Sequence, residues 1–187
     1  QSIVLIKDVR DIKSEDELQK LADMIVDNMH AEAMVRVRVG YGNRVNNLQD
    51  IAKSYQEAKM ALEVGKIFYA EKETIAYRYL GIGRLIYQLP VNLCEMFIHE
   101  VFGDEIPDVF NEETTTTIQK FFENNLNISE TARQLYVHRN TLVYRLERLE
   151  KVIGLDIRKF DDAMTFKIAM MVISHMQYVK NSENALN

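Results

Sequence analysis

The stretch that decides the reading is Asn127 to Gly154, NISETARQLYVHRNTLVYRLERLEKVIG. Asn127 can cap a helix, and Glu130 follows three residues on, the spacing of a capping box. A short helix is predicted from Ser129 to Leu135, with Ala132 where two crossing helices need a small side chain. Tyr136, Val137 and His138 form a three-residue turn, and Leu135 and Val137 are spaced to plug the core beneath it. A second helix is predicted from Arg139 to Ile153. Leu142, Leu146, Leu149 and Ile153 make its apolar stripe, and Gly154 suits the residue just past its end. Residues 127–153 therefore read as a helix-turn-helix.

Such a motif places the start of its second helix in a DNA major groove. Here that start carries Arg139, Asn140, Val143 and Tyr144. Arg can fork onto guanine and Asn onto adenine. Arg133, Arg145, Arg148 and Lys151 are in reach of phosphates. Residues 131–159 hold seven Lys or Arg against three Asp or Glu, inside a chain of net charge −5. A local basic patch on an acidic protein is the electrostatic footprint of nucleic-acid binding. The spacing also fits a plain helical hairpin with a solvated arginine face. Tyr136 stands where many such turns have Gly, which reaches positive φ without strain.

Upstream of the motif, Glu112 to Asn124 reads as a helix carrying Ile118, Phe121 and Phe122, weakened locally by Thr114 to Thr117. Val91 to Phe102 is amphipathic and ends at Gly103, and Leu85 to Leu89 is a short helix stopped at Pro90. Residues before about 81–83 have a different character. Ile3 to Val9, Met34 to Val39 (MVRVRV) and Thr74 to Leu80 are strand candidates. Between them lie a helix capped by Ser14 and Glu17, with Leu18, Leu21, Ala22, Ile25, Val26 and Met29 on one side, and a second helix over Leu48 to Phe68. The order is β-α-β-α-β, a thin sheet with open edges. The expected fold class is α+β, with a partial α+β domain over residues 1–80 followed by an all-α domain over 81–187. The start at Gln1, close to a strand, fits a piece of a longer protein, and the missing strands of the first domain are expected upstream.

Composition narrows the function. Of 187 residues 47% are apolar, and only seven Gly and two Pro occur, so the chain is an ordered globular one. Cys94 is the lone cysteine, excluding an internal disulfide and pointing to a reducing, cytoplasmic location. No apolar run is long enough to span a membrane, and no secretory leader is visible at Gln1.

The run ETARQLYVHRNTLVYRLERLEKVIGLDI, Glu130 to Ile157, resembles the C-terminal helix-turn-helix of the PucR/CdaR family of bacterial transcriptional regulators. VHRNTLVYRL, Val137 to Leu146, is its specific part. FFENNLN, Phe121 to Asn127, and Gly154 to Ile157 also fit the family pattern, in which an aromatic residue before Val-His-Arg is ordinary. Upstream, IVLIKDV, the Leu18 to Met29 helix, VRVRVGYGN and SYQEAKMALEVGK resemble the C-terminal half of a degenerate GGDEF-like domain. The resemblance implies a cytoplasmic transcription factor that binds double-stranded DNA as a homodimer, with any small-molecule effector sensed upstream of this chain. By position in the motif it implies DNA contacts from His138, Arg139, Asn140, Thr141, Tyr144 and Arg145, beside the phosphate candidates Arg133 and Arg148.

A GGDEF domain proper makes cyclic dinucleotides. It needs a glycine-rich signature turn, which this sequence does not contain and whose expected place is at or before Gln1. No catalytic, cofactor or metal set is expected. His30, His99, His138 and His175 lack metal-ligand spacing. Gly40-Tyr41-Gly42 and Gly81-Ile82-Gly83 read as turns. Asp161 and Asp162 read as helix-start residues. Cys94, beside Met96 and Phe97, reads as a buried structural thiol. Ala163 to Tyr178 is apolar nearly all round, which requires burial in a core or a dimer interface, and the tail from Lys180 to Asn187 is expected to fray. A regulator that reads DNA is the expectation. The alternative is a dimerisation and ligand-sensing module without direct DNA binding.

Overall fold

The computed structural model describes residues 2–107 and 111–184. In chain order the elements are helix α1 (Glu15–Ala33), strand β1 (Val39–Tyr41), α2 (Ile51–Phe68), β2 (Thr74–Ala76), α3 (Ile82–Tyr87), α4 (Val91–Phe102), α5 (Glu112–Glu123), α6 (Ile128–Gln134), α7 (Arg139–Ile153) and α8 (Phe160–Asn184). They gather into two compact units, Gln1–Gln88 and Leu89–Asn187. The α+β organisation expected from sequence stands, with both strands in the first unit.

The strands are fewer and shorter than expected. β1 and β2 form a two-stranded parallel sheet in the register Val39–Thr74, Gly40–Ile75 and Tyr41–Ala76, joined by the α2 crossover. Ile3 to Val9 forms no strand, and Ile3 is 92% exposed. A strand exists only by pairing, and among the described residues nothing pairs with this segment. Met34 is instead the left-handed cap of α1, at φ +53°, and strand structure begins only at Val39. The third candidate stops at Ala76, where Tyr77–Tyr79 tighten into a 3₁₀ turn that seats Leu80 in the core.

The first unit's core is Ala61, Val64, Ile75 and Leu80, with Met60, Phe68, Tyr69, Tyr77 and Tyr87 packed around it. Gly40 and Gly42 are not turn residues. Gly40 is the middle of β1, and a Cβ there would lie 2.6 Å from the Ala58 carbonyl oxygen; one at Gly42 would lie 2.1 Å from that of Ser54. Both let β1 and the loop after it press onto the backbone of α2. Polar bonds hold α1 to the strands: Tyr41 donates to Gln19 Oε1 at 2.7 Å and Thr74 to Asp23 Oδ1 at 2.6 Å.

The second unit packs α5, α6, α7 and α8 around Ile118, Phe121, Ala132, Leu142, Leu146, Leu149, Ile153, Ile157, Ala163 and Phe166. Phe166 meets the Phe102 ring edge-on and lies parallel to that of Phe122. α8 also packs along α4. It buries Ala163, Phe166, Ala169, Val172, Ile173 and His175, while Met164 stays about half exposed. The helix continues to Asn184, so most of the expected tail is helical; 185–187 lie outside the described residues. Cys94 is fully buried on α4, and burial pushes its thiol pKa up.

Candidate nucleic-acid interface

Two matching turns build the motif. At the end of α5, Leu126 N–H donates to the Phe121 carbonyl at 2.9 Å and Asn125 N–H to that of Phe122 at 3.1 Å. At the end of α6, Val137 N–H donates to Ala132 at 3.0 Å and Tyr136 N–H to Arg133 at 3.2 Å. Each is a Schellman pair, which satisfies the last carbonyls of a helix and requires a left-handed residue after it. Asn125 (φ +51°) and Tyr136 (φ +55°) fill that position, and Leu126 (φ +62°) continues it. The Tyr136 ring is 96% exposed, so it carries the strained backbone without disturbing the core.

α6 starts at Asn127, whose side chain accepts from the Glu130 N–H at 3.0 Å. Only this half of the expected capping box forms. The Asn127 N–H goes to the Asn124 carbonyl, and the Glu130 carboxylate turns to Arg133 and Gln134. Those bonds, Arg133 foremost, hold the Glu130 carboxyl below its ordinary pKa. The side-chain amides of Asn124 and Gln134 also bond reciprocally, at 3.2 and 3.0 Å, tying the end of α5 to the end of α6.

α7 is capped by His138, whose Nδ1 accepts from the Asn140 N–H at 3.2 Å. The predicted stripe Leu142, Leu146, Leu149 and Ile153 is buried. At ~100° per residue, the opposite face carries Asn140, Tyr144, Glu147, Arg148 and Lys151, and each of these except Glu147 was singled out from sequence. His138, Arg139, Asn140, Thr141 and Arg148 are exposed, and Tyr144 is 65% exposed. Val143 is half-buried, on the flank of this face.

The basic residues divide sharply. Arg133 is forked onto Glu130. Arg145 pairs with Glu113 at 2.6 Å. Arg158 is held by Glu150 and Asp156, each at 2.6 Å, and by Glu147 at 3.5 Å. This binds the segment after Gly154 back onto α7, and it offsets the two carboxylates that α7 carries. Its bond also holds the Asp156 carboxyl below the usual range. Among the described residues, Arg139, Arg148 and Lys151 have no ion-pair partner, and all three lie on α7. Spacing did not disclose the roles of Glu113, Glu147 and Arg158, because each pair joins different elements or spans the Gly154 turn.

Two domain families match the chain: the PucR C-terminal helix-turn-helix domain over residues 114–172 and the GGDEF-like domain over residues 1–64. Through these two domains the chain is similar to the regulators of the PucR/CdaR family. Among its PucR/CdaR relatives, it is 27% identical over 157 residues to the carbohydrate diacid regulator of Escherichia coli, covering 84% of this chain and 41% of that protein. It is 29% identical to the purine catabolism regulatory protein of Bacillus subtilis, over 72% of this chain and 25% of that one. It is 27% identical to the proline-responsive transcriptional activator PutR of the same organism, over 73% and 34%. The chain thus spans between a quarter and about two-fifths of these relatives. A solved regulator of polyketide synthase expression from Bifidobacterium adolescentis aligns at 21% identity and TM-score 0.35, covering 67% of this chain and half of that one. Among the described residues no group of three or more metal-ligating side chains gathers, and no helix is long and apolar enough to cross a membrane.

Proposed function

We propose that this chain is a sequence-specific DNA-binding transcriptional regulator, with α7 as the helix that enters the major groove. One observation carries the reading. Asn140, Tyr144, Arg148 and Lys151 share the side of α7 opposite the stripe that fixes the helix in the core, Arg139 is exposed on the first turn of the same helix, and none of these three cations is ion-paired among the described residues. A helix so arranged offers amide and guanidinium donors to base edges and fixed positive charge to phosphates. His138, Arg139, Asn140, Thr141 and Tyr144 are assigned to the groove. Arg148 is assigned to the phosphates, and Arg133 joins it once it exchanges Glu130 for a phosphate oxygen.

That the relatives are transcriptional regulators supports a regulator over an enzyme, and we infer that it acts in the cytoplasm without catalytic chemistry of its own. The chain is proposed to act as a homodimer on inverted half-sites one or more helical turns apart. Any effector is assigned to parts of the protein outside the helix-turn-helix. The test is selection of bound sites from random duplexes, followed by sizing of the chain with and without the recovered duplex. Enrichment of a two-fold symmetric sequence and a two-chain complex are the expected results. Recovery of unrelated sequences, bound with equal affinity, would overturn sequence-specific reading.

A further inference from the structure

Arg145 sits in the motif beside Tyr144, yet its surroundings differ from those of the other motif arginines. It lies about 100° around α7 from Tyr144, off the outward face and toward α5. Its side chain is 27% exposed, against 74% for Arg133. One guanidinium nitrogen meets Glu113 Oε1 at 2.6 Å, and the other donates to Thr117 Oγ1 at 3.4 Å. The Thr117 hydroxyl, itself buried, donates to the Glu113 carbonyl at 2.8 Å, so its lone pairs face Arg145. Ile118 and Phe121 of α5 also share an apolar core cluster with the leucine stripe of α7. Apolar packing is non-directional and tolerates a small roll of one helix on another. A guanidinium directed at once to a carboxylate and to a buried, hydrogen-bonded hydroxyl resists such a roll.

We propose that Arg145 is a positioning residue, which through Glu113 and Thr117 sets the roll of α7 and so the angle at which Asn140 and Tyr144 meet a base edge. This rests on the reading of α7 as the groove helix. It gives Thr117, the fourth residue of the threonine run after Glu113, a purpose that helix propensity alone does not: it is the acceptor that makes the grip two-pointed.

The proposal differs from a phosphate contact in the sign of one effect. Glu113→Gln removes a negative charge near the interface, and charge alone would then tighten DNA binding. Positioning requires the opposite. The experiment titrates the full chain, by fluorescence anisotropy at several salt concentrations, against the duplex recovered from random-site selection. Arg145→Gln and Glu113→Gln are each expected to weaken binding about tenfold, and the double variant no more than either alone. The slope of log K against log salt stays unchanged, and the charge-exchanged pair Glu113→Arg with Arg145→Glu recovers most of the loss. Glu113 is about two-thirds exposed, so its variant tests the idea even if Arg145→Gln melts early. A slope lowered by about one in Arg145→Gln, with undiminished affinity in Glu113→Gln, overturns the positioning role and leaves the groove reading intact. Failure of the unsubstituted chain to prefer any duplex overturns both.

Discussion

The Val137 N–H donates to the Ala132 carbonyl at 3.0 Å, and closing that bond requires the intervening Tyr136 to take φ +55°. A left-handed conformation costs a non-glycine residue about 1–2 kcal/mol, and the exposed ring recovers none of it by packing. Tyr136→Gly is therefore expected to stabilise the second unit by about 0.5–1 kcal/mol, after the extra backbone entropy of glycine. Tyr136→Val, β-branched in the same conformation, is expected to destabilise it. Urea midpoints at constant m-value check both; a lower midpoint for Tyr136→Gly would show that the ring contributes to folding.

Arg139 and Arg148 are both exposed and unpaired among the described residues, but the proposed complex uses them differently. Arg139→Ala is expected to cost about 1–3 kcal/mol on the selected site and to relax the preference at one base pair. Arg148→Ala is expected to weaken all duplexes alike and to reduce the salt slope by about one. Anisotropy titrations on selected and scrambled duplexes distinguish the two. Unchanged affinity in both variants would remove α7 from the groove.

The helix-turn-helix was legible because its signals are local. The 3.6-residue period of Leu142, Leu146, Leu149 and Ile153, the small Ala132 and the terminal Gly154 all act within one or two turns. The strands were less legible for the same reason in reverse. Ile3 to Val9 has the composition of a strand, but composition does not supply a neighbour to pair with. Gly40 and Gly42 resembled turn residues because the close approach of α2 is not visible along the chain. Arg145 was legible as a member of the motif, whereas its bond to Glu113 spans thirty-two residues that no periodicity links.

Gly42 tests the packing of the first unit. A Cβ at Gly42 would lie 2.1 Å from the Ser54 carbonyl oxygen, a backbone atom of α2 that cannot move aside alone. Gly42→Ala is expected to destabilise the unit by about 1–3 kcal/mol or more, the range of overpacked sites. Gly81 has open space for a Cβ but sits at φ +53° and ψ −133°, outside the left-handed helical region and open essentially to glycine, so Gly81→Ala is expected to cost about 1–3 kcal/mol through local backbone conformation alone. Hydrogen exchange of the α2 amides separates the cases: only Gly42→Ala should raise it strongly.

Tyr41 sets the alkaline behaviour of the same unit. Burial, reinforced by the nearby Glu15 carboxylate, raises its phenol pKa to about 12, above the ordinary 10. The neutral phenol donates to Gln19 on α1 and joins β1 to that helix. Because the folded pKa is the higher one, the stabilisation is fully present below about pH 10. It is lost as the pH rises through 12, where the folded phenol must also ionise. Tyr69 and Tyr87 are also raised by burial and add to the decline, so the informative quantity is a difference. Urea midpoints of the parent chain and of Tyr41→Phe, measured from pH 8 to 12, are expected to converge above pH 10. The parent loses its Tyr41 advantage there, and the variant has none to lose. Curves that stay parallel across that range would mean that Tyr41 ionises as freely in the folded chain as in the unfolded one, and that its bond to Gln19 does not hold α1 to the sheet.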